Sequence, residues 1–290
     1  TQYRLVTMAN AKFLTDGVRP TDNLLINFVT NSAGVVEYES YEIAEVRTET
    51  TLALVSGPAA PVNVALKAQI ERVFTKDEQI DELSKVGSDY NNRRVRAVFP
   101  PTVKTNGVEK AGYFVAAALA GLRSGVVPHQ GLTNTVLLGF DDLTLSTRTF
   151  TDIQLNRLAE QGFWIVTQST VGATPYVRHQ LTTDSSSLNT SEDSITTNVD
   201  SISYGMQSAL EPYIGKYNVH PNALIAIRGA IFAELSYRTT NTYTVRAGNQ
   251  LISFEIVTLE QNATFKDRIN VVVKLEIPYP LNFIDLTFVV

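Results

Sequence analysis

Arg268-Ile-Asn-Val-Val-Val-Lys-Leu-Glu-Ile277 alternates in steps of two, with Val271, Val273, Leu275 and Ile277 on one face and Val272, Lys274 and Glu276 on the other. Successive side chains of an extended chain point to opposite faces, so the pattern predicts a strand covered on one side. Leu251 to Glu260 upstream and Leu281 to Val290 downstream read the same way. In the last of these, Ile284, Leu286, Phe288 and Val290 share the more apolar face, opposite Asp285, Thr287 and Val289. The period changes on moving further upstream. Ile195, Val199, Ile202, Met206 and Leu210 recur every three or four residues after Ser191-Glu-Asp193, as on an amphipathic helix that would be the longest in the chain. A second helix follows Pro221 through Leu224, Ile227, Ile231 and Leu235, with Pro suited to its first turn. Helices feeding a β tail place the chain in the α+β class.

The middle of the chain mixes strands and helices, giving an α/β-like core sheet with packed helices. Thr75-Lys-Asp-Glu78 and Thr151-Asp-Ile-Gln154 are capping boxes that open helices through Val86 and through Ala159, the second closed by Gly162. Leu66 to Phe74, Arg94 to Phe99, Phe163 to Val166 and Pro175 to Arg178 read as strands, the last two as neighbours. Gly112 to Leu122 is apolar all round, which predicts a helix lying beneath other elements. Before Val55, short apolar runs broken by Gly17, Pro20 and Asn31 to Gly34 describe a small antiparallel β domain. Gly57-Pro-Ala-Ala-Pro61 marks the boundary, giving a β domain over 1–60 and a core domain over 61–290.

Composition narrows the function. Apolar residues make up 44% and charged residues 18%, an ordinary globular balance that excludes a disordered chain. Cysteine is absent, which removes disulfides, thiolate metal sites and cysteine nucleophiles together. A net charge of -5 offers no cationic face for nucleic acid. The longest apolar run, Gly112 to Leu122, is about half of the ~20 residues a membrane helix needs, so no membrane insertion is expected.

Catalytic signals are sparse. His129, His179 and His220 stand apart, without the spacing of a local metal pair, and each reads as a turn or surface residue. Nucleophile elbow, phosphate-binding loop and dinucleotide fingerprint are all missing, so neither a catalytic residue, a metal site nor a cofactor is expected. Asp141-Asp142 could bind a cation through oxygen ligands, or pair carboxylates with a histidine brought in by the fold in an enzyme without a local signature, but adjacent acids on a strand or loop point apart and read as a solvated loop pair. Glu192-Asp193 reads as helix N-terminal acids placed against the positive end of the dipole. Arg93, Arg94 and Arg96 form the one basic cluster, either a solvated strand entrance or a fork seating a carboxylate of a partner subunit.

Five stretches, in order, resemble phage contractile-tail sheath proteins: Arg93-Arg-Val-Arg-Ala-Val-Phe-Pro100, Tyr113 to Arg123, Val127-Pro-His-Gln-Gly-Leu-Thr133, Gly162 to Val166 leading into Val177-Arg-His-Gln-Leu-Thr-Thr183, and Tyr279-Pro-Leu-Asn-Phe-Ile-Asp-Leu-Thr-Phe288. The resemblance covers about Ala65 to Val290, and Phe13 to Val18 looks like part of the smaller β insertion some phage tail proteins carry ahead of this core. It implies a non-enzymatic virion subunit, assembled in the host cytoplasm. Copies would stack as hexameric rings around a tail tube above a baseplate, and contraction would drive the tube through the host envelope. A baseplate or tail-completion protein on the same core is the alternative. A subunit of this kind can hold its neighbours by lending a strand to their sheet edges, and Ile284, Leu286, Phe288 and Val290 are the residues placed to do so. The competing reading is that this strand completes the chain's own sheet.

Overall fold

The computed structural model describes residues 4–30, 36–57, 68–143, 150–170, 172–244 and 247–287. The chain divides into two compact units, Thr1–Gln79 and Ile80–Val290. Most of the expected boundary, Pro58 to Pro61, lies outside the described residues.

The first unit is a five-stranded antiparallel sheet of β1 (Arg4–Thr7), β2 (Asn23–Thr30), β3 (Val36–Thr48), β4 (Thr51–Leu54) and β5 (Ala68–Glu71), ordered β1-β4-β3-β2-β5. Leu24 and Ile26 of β2 point inward and join Phe13, Tyr41, Ile43, Leu52 and Leu54 in its core. Each fully buried Leu or Ile contributes about 1.5–3 kcal/mol. Asp22 is buried beneath the sheet's end, and its carboxylate accepts the backbone N–H groups of Arg19 and Val73. Those bonds satisfy a charge that burial would otherwise penalise.

The second unit is layered around β9 (Phe163–Thr167), which pairs in parallel with β6 (Ala97–Phe99) and antiparallel with β10 (Tyr176–His179). Phe163, Trp164, Ile165 and Val166 are all buried, as a central strand covered on both faces requires. Trp164 and Val166 join Val115 and Leu119 of α2 (Tyr113–Ser124) in one cluster. Phe163 and Ile165 join Ile80 of α1 (Lys76–Tyr90) and Leu155 and Leu158 of α3 (Asp152–Glu160) in the other. Both capping boxes form. The Thr75 hydroxyl accepts from Glu78 N while Thr75 N donates to the Glu78 carboxylate, and Thr151 and Gln154 bond in the same reciprocal way. Gly162 adopts φ +80°, and a Cβ there would lie 2.2 Å from the Thr182 carbonyl oxygen. The hairpin of β7 (Thr102–Thr105) and β8 (Val108–Ala111) adds Val103 to the α2 cluster.

Beyond β10 come the short α4 (Leu188–Ser191), then α5 (Asp193–Leu210) and α6 (Pro221–Thr240). At 20 residues against 18, α6 is longer than α5, contrary to expectation. The two helices pack through Ile202, Ile227, Ile231 and Leu235 beneath β11 (Ser253–Gln261) and β12 (Ile269–Glu276). Gly205 lets them close up: a Cβ there would sit 2.0 Å from an Arg238 nitrogen. In β12, Ile269, Val271, Val273 and Leu275 face the helices and Asn270, Val272, Lys274 and Glu276 face outward, the alternation read from sequence.

Two expectations about burial and strand formation are corrected. Only Val115 and Leu119 of α2 are buried, while Tyr113, Phe114 and the small residues Ala117, Ala120 and Gly121 face outward, because the sheet covers one side of the helix alone. Residues 281–287 belong to no strand and pair with none among the described residues, and 288–290 fall outside the described residues.

Candidate assembly hub

Glu192 and Asp193, at the start of α5, are completely buried. They stand at a helix start, as read from sequence, and their burial adds a demand: two adjacent buried carboxylates need compensating partners. Asp193 Oδ1 accepts from Arg96 Nε at 2.6 Å, with Arg96 Nη2 at 2.5 Å, and Asp193 Oδ2 lies 3.7 Å from Arg123 Nη1. Arg123, near the end of α2, also donates to the carbonyls of Val127, Pro128 and Gln130, pinning the turn after its helix. Burial pulls the Arg123 guanidinium below the ordinary arginine range, while Asp193 pulls the other way and the nearby Arg96 charge adds to the fall.

Glu192 faces the end of the chain. Its Oε1 accepts from His179 Nε2 at 2.7 Å and from Asn282 Nδ2 at 2.9 Å. In the tautomer with its proton on Nε2, His179 donates to this oxygen. The 3.1 Å approach of Asn282 Nδ2 to that nitrogen is then a packing contact. Asn282 Oδ1 in turn accepts from the Thr133 hydroxyl at 2.8 Å. The Phe283 ring meets His179 edge-on at 6.1 Å, the Tyr279 hydroxyl donates to Asn189, and Pro280 packs on Gly131, where a Cβ would come within 3.1 Å of it.

All five quoted stretches thus lend residues to one neighbourhood: Arg96, Arg123, Gly131 with Thr133, His179, and Asn282 gather on Glu192 and Asp193. Past Phe283 the chain leaves the body. Ile284 is 72% exposed and Leu286 76%, and among the described residues neither has a strand partner; Phe288 and Val290 lie outside the described residues. The β11–β12 hairpin is a two-stranded sheet, so its two outer edges are unpaired among the described residues.

The arginine cluster divides. Arg94 forms a two-pronged pair with Asp200 at 2.7 and 3.0 Å, which holds the Asp200 carboxyl below its usual range. Arg96 is engaged by Asp193. Arg93 is exposed, and among the described residues no carboxylate pairs with it. The chemical candidates do not converge. Asp141 accepts the Gly107 amide, and the Asp142 carbonyl accepts from Lys104 N across the base of the β7–β8 hairpin. His129 bonds the Gly248 carbonyl, His179 bonds Glu192, and His220 caps α6 by accepting the Ala223 amide. Among the described residues no group of three His, Asp or Glu is placed to hold a metal. A cleft of about 520 Å³ in the first unit, over Phe13 and Ile70 with Lys12 and Arg72 beside it, contains none of these residues. Among the described residues no helix is long and apolar enough to cross a membrane.

A chain of the anti-feeding prophage baseplate superposes with a TM-score of 0.53 at 14% identity, over 74% of this chain and 66% of that one. The chain shares its fold with a prophage baseplate protein. It spans slightly under two thirds of that neighbour. Sheath tail proteins from Desulfitobacterium hafniense and Listeria innocua align less well. Their TM-scores are 0.45 and 0.41, each at 12% identity, covering 84% and 75% of this chain and 72% and 65% of theirs. No family model matches the chain. No curated protein matches it.

Proposed function

We propose that the chain is a non-enzymatic structural subunit of a phage contractile tail. It polymerises with copies of itself as stacked rings around a tail tube, and the array contracts to drive the tube through the host envelope. The observation that carries this reading is the uncovered apolar arm, Ile284 and Leu286, in the same unit as a hairpin whose two outer edges are unpaired among the described residues. Added to a neighbour's hairpin, the arm would turn Ile284, Leu286, Phe288 and Val290 toward the helices and leave Asp285 and Thr287 in solvent. This matches the alternation of β12.

Arg93 is the member of the basic cluster left to meet a carboxylate of a neighbouring subunit. The prophage baseplate neighbour favours a second reading, a baseplate component built on the same core.

Truncation before Tyr279 should abolish polymerisation and leave the core folded. Negative-stain microscopy of the intact chain separates the readings: long hollow tubes support a sheath and discrete rings a baseplate or completion role. Tubes formed by the truncated chain would reject strand donation.

A further inference from the structure

We infer that the C-terminal arm is two devices in series: a bracket, Pro278–Asn282, that stays on its own body, and a donated segment that begins after it. Asn282 is the positioning residue that fixes where the second leaves the first. This rests on the strand-donation reading above and adds to it a boundary.

The bracket is visible as a change in which side chains touch the body. Pro278, Pro280 and Asn282 are partly covered and alternate with the exposed Tyr279, Leu281 and Phe283, whereas every residue from Phe283 to Thr287 is exposed. The anchors come from separate elements. Asn189 of α4 holds the Tyr279 hydroxyl, Gly131 leaves room for Pro280, Thr133 donates to Asn282 Oδ1, and Glu192 accepts from Asn282 Nδ2.

Glu192 makes this grip hard to release. Its carboxylate is buried, and among the described residues its Oε2 has no hydrogen-bond partner and its Oε1 is served by His179 and Asn282 alone. Withdrawing Asn282 would leave the buried carboxyl group of Glu192 with a single donor among the described residues, which is costly in a low-dielectric interior. A strand pulled by a neighbouring subunit therefore has its root tied to β10 and the start of α5. The pull reaches the same Glu192–Asp193 pair that Arg96 and Arg123 hold from the other side. Past Phe283, whose ring still meets His179 edge-on, the described residues Ile284 to Thr287 have no such tie, so they are free to change partner.

The absence of cysteine allows the test to be made with single nitroxide labels on otherwise native chains, at Leu281→Cys and at Leu286→Cys. In the unassembled protein the label at 281 should show restricted motion and the label at 286 fast motion. Asn282→Asp sets a carboxylate against Glu192 and should make 281 as mobile as 286. Adding Glu192→Gln places a donor opposite the carboxylate introduced at 282 and should restore the restriction, a rescue that general loosening of the fold would not give. Trp164 fluorescence confirms that each variant is folded. Equal mobility at 281 and 286 in the unsubstituted background, no effect of Asn282→Asp, or no rescue would overturn the bracket. In assemblies, 286 should become immobile while 281 stays as it was. Release of 281 on assembly overturns the boundary and spares strand donation; persistent mobility of 286 in assemblies rejects donation itself.

Discussion

Replacing Asp193 with Asn keeps the side chain's size and removes its charge from between two guanidinium groups. The carboxylate is fully buried, with Arg96 at 2.5–2.6 Å and Arg123 at 3.7 Å. At an effective dielectric near 20, a unit-charge pair about 4 Å apart is worth about 4 kcal/mol. Breaking a buried pair from one side costs about 3–5 kcal/mol, because the remaining charge stays out of water. The Arg96 side chain is 29% exposed and recovers part of this from solvent, which lowers the expectation to about 2–4 kcal/mol. Asp200→Asn is the control. It breaks the Arg94 pair, in which the side chains are 62% and 26% exposed, and should cost no more than about 1 kcal/mol. Urea unfolding followed by Trp164 fluorescence reads the second unit selectively, since Trp164 is the only tryptophan and lies in that unit's core. If Asp193→Asn destabilised no more than Asp200→Asn, the buried acid would not be the structural hub described above.

Two glycines should respond in opposite directions to alanine. Gly162→Ala meets both a positive φ and the Thr182 carbonyl and should cost at least ~2 kcal/mol, whereas Gly229→Ala, on open helix surface, should stabilise by up to about 1 kcal/mol; thermal unfolding of both variants checks this. Hydrogen bonding to Arg19, with further bonds from Thr75, holds the Glu78 carboxyl down at about 2 against an ordinary 4.5. Its folded value is depressed, so its contribution to stability is present above pH 4.5 and is lost as pH falls from there toward 2. Glu78→Gln should flatten the acid limb in that window, as read by calorimetry. Leu286→Asp should leave monomer stability within about 0.5 kcal/mol, because the side chain is exposed, yet stop polymerisation in light scattering and negative stain.

Local chemistry was legible in the sequence and distant pairing was not. Thr75 with Glu78 and Thr151 with Gln154 announce their helices because both partners of each capping box lie within one turn. Phe163 to Val166 reads as a covered strand because four adjacent apolar residues have no solvent face. Glu192 and Asp193 defeated the same method. An acid pair at a helix start looks identical whether solvated or buried, and the groups that decide the matter, Arg96 and Asn282, lie 97 and 90 positions away. The signal that was present is the polar residue carried by each family-like stretch, which only the fold brings together. α2 misled for a related reason: an all-round apolar helix signals cover without saying whether its own chain supplies it. The terminal arm shows its alternation in sequence, but a strand needs a pairing partner, and among the described residues none pairs with 281–287.

The central claim is that copies of this chain grip one another through the C-terminal arm, and a cysteine-free chain allows it to be tested by disulfide trapping. Cβ atoms of directly opposed strand residues lie about 4.5–5.5 Å apart. A disulfide brings them to about 3.5–4.5 Å. Asp285→Cys would be combined, one variant at a time, with cysteine at Ser253, Glu255 or Val257 on β11 and at Asn270, Val272 or Lys274 on β12, and assemblies oxidised before denaturing electrophoresis. The account predicts a ladder of covalent multimers from adjacent positions on one strand. Assembled protein that yields only unlinked or internally linked monomers from every pair would contradict it.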